Sequence, residues 1–231
     1  MKHWSKTLGL AAAAAGMLGC SALRMVPPPD VARESDVFEA THRSRASGLF
    51  ADEAFTIGPF QVGEVQRDAN VASGLSVLAY AKDDVRTAYA YELAEGADIV
   101  PGQCASLRSR KSFSLGALGE LGSEDANLGC TCGTGASAAT LELGGKPERP
   151  AGLAKVAGRT LDVASVHDTT AAWSPRDAAG FRIDGAEGPV AAVEVLHPGR
   201  MWLSRTLAAD ERRQVACLLA GLMLYVEPTD E

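Results

Sequence analysis

Short apolar runs separated by turn residues follow one another along most of the chain. Between residues 51 and 203 apolar and polar positions alternate over strand-length stretches, as in Thr160–Val166. The clearest hairpin pattern joins Phe181–Ile183 to Val190–Leu196 through a turn that contains Asp184–Gly185. About ten such runs at regular spacing predict an all-β barrel or sandwich.

One long apolar run breaks this pattern near the C-terminus. Val215–Val226 is continuously apolar over twelve residues, and Thr206 before it is a candidate helix N-cap. A helix that is apolar on every side is either a buried core helix or a membrane span. Twelve helical residues reach only roughly 18 Å, which is short of the ~30 Å hydrocarbon core. The sequence therefore predicts a buried helix over residues 207–226, with Pro228 as a stop.

The all-round apolar helix decides between the two β architectures. A closed barrel encloses a lumen that side chains or a helix must fill. We therefore predict a mainly β fold, an antiparallel β-barrel with the hydrophobic C-terminal helix buried in its centre. The alternative is a β-sandwich with the C-terminal helix packed on one face, which would need only one apolar face.

The N-terminus has the anatomy of a secretory signal. A positively charged segment, Met1–Lys6, precedes the apolar Thr7–Leu18, and Gly19-Cys20 follows. The sequence Met17-Leu-Gly-Cys20 resembles a bacterial lipobox, which implies that residues 1–19 are a lipoprotein signal peptide and that Cys20 is lipidated. The alternative is a plain signal peptide that is cleaved elsewhere, with Cys20 incidental.

The lipobox resemblance also implies a location. A lipidated cysteine carries three acyl chains, and two or more chains already give stable anchoring. Ser21 stands where an Asp is associated with inner-membrane retention, so the chain resembles outer-membrane lipoproteins. We expect a bacterial cell-envelope protein that is anchored to the membrane through Cys20, in the outer membrane and facing the periplasm.

The predicted domain organisation has three parts. Residues 1–19 are the signal peptide, residues 20–50 are the lipidated Cys20 with a tether, and residues 51–231 form a single barrel domain. Val26-Pro-Pro-Pro-Asp30 is too rich in proline for a strand or helix interior. The rest of the tether is polar, apart from one candidate early strand at Val37–Thr41.

Charge excludes one class of partner. The formal net charge is −7, and removing residues 1–19 takes away Lys2 and Lys6 and no acid, which makes it −9. Phosphate binding needs a basic surface, so we expect no nucleic-acid partner. The candidate partners are a lipid or an envelope protein, and the sequence does not identify either.

No arrangement of residues predicts catalysis. Ser165, His167 and Asp168 invite comparison with a catalytic triad, but adjacent strand residues point to opposite faces and no Gly-x-Ser-x-Gly elbow is present. We interpret them as a surface turn. The expectation is a protein that is not an enzyme, with no catalytic residues, no metal and no cofactor.

Four cysteines besides Cys20 predict disulfide chemistry in an exported protein. Cys217 lies in the predicted core helix and is interpreted as a buried free thiol. Cys130 and Cys132 share one strand face, so they cannot easily bridge each other. The favoured disulfide joins Cys104 to Cys132, with Cys130 as the second candidate partner; a metal site and reduced thiols are the alternatives.

One basic cluster departs from the acidic background. Arg108, Arg110 and Lys111 lie within five residues, and Arg86 lies in an earlier predicted strand. Together these four residues are a candidate anion-binding patch for a lipid headgroup or a peptidoglycan acid. The alternative is a solvated loop between strands.

The order of elements resembles one fold superfamily. Many strands, a final hairpin over Phe181–Leu196, the Trp-containing Met201-Trp202 and an apolar C-terminal helix are similar to the tubby C-terminal-like fold, over roughly Phe55 to Val226. That superfamily includes tubby domains, phospholipid scramblases and LURP-one-related proteins. The chain also resembles a group of uncharacterised bacterial lipoproteins, a likeness that implies no function.

These observations lead to two functional hypotheses. The first is a membrane-anchored lipoprotein that serves as a non-enzymatic binding or structural module of the cell envelope. The alternative is a lipid-binding or lipid-handling protein that uses a scramblase-like fold.

Overall fold

A computed structural model describes residues 23–43, 53–68, 71–77, 80–114, 120–171 and 175–225. Two α-helices, α1 and α2, span Pro29–Glu34 and Ala209–Leu224, and a short 3-10 helix spans Gly135–Ser137. Strands β1 to β13 are, in chain order, Ser35–Thr41, Phe55–Ile57, Phe60–Arg67, Val71–Val77, Tyr80–Glu95, Asp98–Ser114, Glu120–Cys132, Ala139–Gly144, Ala151–Val156, Arg159–Val166, Gly180–Gly185, Gly188–Glu194 and Arg200–Ser204.

The strands form one antiparallel sheet that closes on itself. Their order is β3-β2-β1-β13-β12-β11-β10-β9-β8-β7-β6-β5-β4, and an additional pairing of β3 with β5 completes a ring of twelve strands. The predicted antiparallel β-barrel with a C-terminal helix is therefore confirmed. The predicted hairpin is also present, as β11 and β12.

Alternation of side chains produces the barrel wall. In β10, Leu161 and Val163 are buried and point inward, whereas Asp162 and Ala164 are exposed. A strand with a period of two therefore contributes one apolar face to the lumen and one solvated face to the outside.

Helix α2 runs through the lumen. Every residue from Val215 to Leu224 is buried, and the helix contacts β5 to β9 on one side and β12 and β13 on the other. The helix is two residues shorter at each end than predicted. Its N-cap is Ala208, which makes no side-chain cap hydrogen bond, while the predicted cap Thr206 instead bonds the Ser204 hydroxyl at 3.0 Å.

The two ends of the barrel are defined by the path of α2. The entry end holds the start of α2 and the turns at residues 96–97, 157–158 and 186–187. The exit end holds the end of α2 and the loops at residues 167–171 and 195–199.

Residues 23–34 pack against the barrel and Ser35–Thr41 forms one of its strands, so the tether predicted over residues 20–50 is wrong for this part. The candidate early strand at Val37–Thr41 is present within β1. Strand β1 pairs with β13 and β2 inside the ring. Met25 and Val31 are 1% and 0% exposed and pack outside the barrel against Trp202 and its apolar neighbours. The proline-rich segment is accommodated because Pro29 begins α1, where a missing N–H is tolerated.

Three strands reach beyond the ring at the exit end. Strands β5 and β6 contain 16 and 17 residues, and β7 contains 13. Within the described residues, β3 pairs with β5 only as far as Tyr89, and β4 pairs with Tyr80–Arg86 beyond that point. We call β4 with the residue ranges 80–86, 108–114 and 120–126 the outer sheet.

Gly221 lies where the helix packs closely against the side chains of the barrel wall that surround it. A Cβ at this position would lie 2.6 Å from the Tyr91 hydroxyl and 2.9 Å from Cys104 Sγ, both in the packed lumen. Helix propensity alone would make Gly221→Ala stabilising by about 1 kcal/mol. We predict instead a loss of about 1–3 kcal/mol from overpacking, measured by urea unfolding.

The matched control is Gly129→Ala in β7. A Cβ there meets nothing within 4 Å, so this variant should unfold close to the wild-type midpoint. A Gly221→Ala protein as stable as the control would show that the helix does not fill the lumen.

Candidate functional site

Two arginines close the exit end of α2. Arg43 donates to the carbonyl of Met223, and also to those of Val195 and Pro198 at 3.1 and 3.2 Å. Arg67 donates to the Leu224 carbonyl at 2.7 Å. The last carbonyls of a helix have no partner within it and carry partial negative charge, so these cations satisfy and stabilise that end.

The two arginines differ in the groups that surround their guanidinium charges. Arg67 makes a bidentate contact with Glu53, whose side chain is 12% exposed. Burial lowers the pKa of Arg43, which sits among carbonyl groups, and the charge of Glu194 acts in the opposite direction. Neither arginine belongs to the candidate sites predicted from sequence, because the sequence does not indicate which carbonyls they reach.

Ion pairs surround α2 where it enters the barrel. Arg212 pairs with Asp36 at 3.4 Å, and Arg213 pairs with Asp98 at 3.1 Å. Arg159 pairs with Glu211 at 2.9 Å. Because these groups are exposed to solvent to different degrees, each pair alone stabilises only weakly. Their combined effect is to fix the first turn of α2 against three parts of the barrel rim.

Two tyrosines bond the buried backbone of α2. Tyr89 donates its hydroxyl to the Gly221 carbonyl, and Tyr91 donates to the Cys217 carbonyl, both at 2.8 Å. The rings stack with centroids 6.3 Å apart. Burial is the main cause that raises the pKa of both tyrosines above the ordinary value of 10.0.

Two disulfides lie beside the tyrosines in the lumen. Cys104 is bonded to Cys130, and Cys132 is bonded to Cys217. The prediction of disulfide bonds is confirmed, and the bond of Cys104 is with its second candidate partner, Cys130. The favoured Cys104–Cys132 pairing and the free thiol at Cys217 are wrong. The β6–β7 register places Cys104 directly opposite Cys130, and Cys132 instead faces α2, with its Cα 6.0 Å from that of Cys217.

The two disulfides constrain the unfolded chain to different extents. Their cysteines are 26 and 85 residues apart, and their loops follow one another without overlap. In the chain-entropy account, the Cys132–Cys217 bond stabilises by roughly 4–5 kcal/mol and the Cys104–Cys130 bond by roughly 3–4 kcal/mol. The longer bond also ties α2 covalently to β7.

A buried carboxylate holds the N-terminal segment to the barrel. Glu194 is 0% exposed, and it accepts hydrogen bonds from the Met25 amide at 2.5 Å and from Arg200 Nε at 2.7 Å. Arg24 pairs with the same carboxylate at 3.2 Å. In the sequence, Glu194 is marked only as an acid within the otherwise apolar run Val190–Leu196. Its partners Arg24 and Met25 lie far away in the chain, so the sequence does not indicate them.

The larger surface cavities lie outside the lumen. One of about 720 Å³ and one of about 430 Å³ adjoin each other on the outer wall of β3, β5, β6 and β7, where they share Gln66, Ala90, Gln103 and Thr131. A third, of about 730 Å³, lies at the entry end beside Leu207. None of these three cavities is lined by a residue of Val215–Leu224, the buried part of α2 in the lumen.

The structure divides the candidate anion-binding patch between two faces of the outer sheet. Arg86 lies opposite Leu107, and Arg108 lies opposite the buried Val85 in the adjacent row. Arg86 and Lys111 are exposed, and Arg110 lies opposite Asp83 and Glu124 in register. Arg110 is therefore flanked by two acids in register, and the four residues do not share one face of the sheet. They lie in strands, which corrects the loop alternative.

The residues considered for a triad form one contact. His167 Nε2 lies 3.2 Å from the Ser165 hydroxyl, as expected for residues two apart on an extended segment. The Asp168 carbonyl accepts a hydrogen bond from the Val26 amide at 2.8 Å. The three cavities described above are lined by other residues.

The described residues also bear on metal binding and on membrane crossing by helices. These described residues contain no cluster of three or more His, Cys, Asp and Glu side chains suited to a metal ion. Neither α1 nor α2, the helices of the described ranges, combines the length and apolarity needed for a membrane crossing. Cys20 lies outside the described residues.

Comparison of the chain with protein-family models, curated proteins and solved structures found no match.

The buried tyrosines predict a loss of stability at high pH. Since the folded state raises the pKa of Tyr89 and Tyr91 above the unfolded value of 10.0, the unfolded chain loses these protons first. The stabilisation is complete below pH 10 and is lost as pH rises above it, at about 1.4 kcal/mol per pH unit for each tyrosine. Urea unfolding between pH 8 and 11.5 measures this slope.

A double variant, Tyr89→Phe with Tyr91→Phe, separates this effect from general alkaline damage. It should lose about 1 kcal/mol per hydroxyl at neutral pH and show a much flatter fall above pH 10. An unchanged slope in the double variant would contradict the assignment.

Proposed function

We propose that this protein is a membrane-anchored bacterial lipoprotein whose barrel is a non-enzymatic binding or structural module of the cell envelope. The observation that carries the proposal is the lumen occupied by α2, fixed by the Cys132–Cys217 bond and by arginines at its exit end. A barrel filled by its own helix leaves the outer wall and the rims as the surfaces available to a partner.

The disulfides support an envelope location. Disulfide bonds persist in oxidising compartments such as the bacterial periplasm and are rare in the cytosol. The structure contains two in its core. Together with the lipobox-like Met17-Leu-Gly-Cys20, this supports export followed by lipidation at Cys20 and an outer-membrane position facing the periplasm.

The tubby-like resemblance remains part of the proposal as a fold relationship. A closed antiparallel barrel around a C-terminal helix is the arrangement that the resemblance implies. The alternative function, lipid handling with a scramblase-like fold, would need an apolar groove for an acyl chain. The outer-wall cavity of about 720 Å³ has a polar lining that includes Glu64, Glu92 and Gln103, and this favours the first function over the second.

Lipidation at Cys20 is tested with the full chain expressed in a Gram-negative host. The wild-type protein should incorporate labelled palmitate and fractionate with membranes. Cys20→Ala should be unlabelled and appear in the soluble periplasmic fraction, because the acyl chains are the proposed attachment. Ser21→Ala, which keeps the cysteine, is the matched control and should remain labelled and membrane-bound. A membrane-bound, unlabelled Cys20→Ala protein would refute the anchor.

A further inference from the structure

We propose that the barrel is held with its exit end against the bilayer, so that the exit-end loops and the outer sheet form its membrane-facing surface and the entry end faces away. This inference rests on the lipid anchor proposed above at Cys20. It assigns the partner of that surface as the lipid bilayer that carries the anchor.

The chain is fixed to the barrel almost immediately after Cys20. Arg24 and Thr170 exchange hydrogen bonds, with the Thr170 amide 2.8 Å from the Arg24 carbonyl and the Arg24 amide 3.2 Å from Thr170 Oγ1. The Val26 amide donates to the Asp168 carbonyl at 2.8 Å. Met25 between them is 1% exposed, and its amide donates to the buried Glu194.

These contacts leave only a short connection between the anchor and the fold. Arg24 is the fourth residue after Cys20, so four residue-to-residue steps connect them. At 3.3–3.6 Å per residue, they span at most about 14 Å in any conformation. The bilayer surface therefore lies within about that distance of the point where the chain joins the barrel.

That point lies at the exit end. Asp168 and Thr170 follow the last residue of β10, and Glu194 is the last residue of β12. Arg43 donates hydrogen bonds both to the carbonyl of Val195, the residue after Glu194, and to the carbonyl of Met223 near the end of α2. The N-terminal attachment and the C-terminal turn of the central helix are therefore neighbours.

The entry end is much farther from the anchor. Helix α2 contains sixteen residues, which at 1.5 Å per residue gives about 24 Å between its ends. This exceeds the reach of the connection, so the entry end and its cavity of about 730 Å³ are directed away from the bilayer. The outer sheet continues from the exit end, so it lies on the side of the anchor.

Photo-crosslinking in the intact lipidated protein distinguishes the two ends. A benzophenone amino acid is placed at Asp168 at the exit end or at Glu187 at the entry end. Both are exposed acids outside strands, so each replacement removes the same charge and neither should change the melting temperature. The proteins are reconstituted into vesicles of phosphatidylethanolamine and phosphatidylglycerol, floated on a density gradient, irradiated and analysed by mass spectrometry for lipid adducts.

The expected result is a lipid adduct at position 168 that is several-fold more abundant than at position 187. Equal adducts at both positions, more at 187, or none at either would overturn the orientation while the floated protein still shows the anchor. A wild-type protein that does not float with the vesicles would instead show that the anchor itself is wrong, and the orientation with it.

Discussion

A helix without a polar face is the constraint on which this structure depends. Val215–Leu224 is buried throughout, so every direction around the helix axis must be covered by protein. A sandwich covers one side of a helix, whereas a closed barrel covers all of them. Burying Val215, Leu218, Leu219 and Leu222 contributes about 1.5–3 kcal/mol each, a gross gain comparable with the ~5–15 kcal/mol net stability of a domain.

Enclosing a helix creates a second requirement, because its terminal backbone groups also leave water. Arg43 and Arg67 satisfy carbonyls at the exit end, while the tyrosine hydroxyls add bonds to carbonyls in the middle. The Cys132–Cys217 bond then fixes the helix to the wall. In a lumen filled and bonded in this way, the helix is held by side-chain packing, hydrogen bonds and a covalent bond at once.

The sequence predicted those parts of the fold that depend on local pattern. Alternation in Thr160–Val166 and the length of the Val215 run led to the barrel and its central helix. Properties that depend on distant chain segments were not predictable: the register that decides between Cys130 and Cys132 as the partner of Cys104, or the partners of Arg43. The packing of residues 23–34 against the barrel was also missed, because Glu194, which accepts a hydrogen bond from the Met25 amide, lies far away in sequence. Of the candidate site residues, Cys104, Cys130 and Cys132 lie together in the lumen. The four residues of the basic patch are divided between two faces of the outer sheet.

Removal of the helix tests the central claim most directly. A chain that ends at Gln214 should be recovered without a cooperative thermal transition, since the barrel would enclose an empty apolar lumen. A full-length Cys132→Ala, Cys217→Ala protein is the control for loss of the disulfide, and it should still melt cooperatively at a lower temperature. A soluble truncated protein that melts cooperatively would contradict the account.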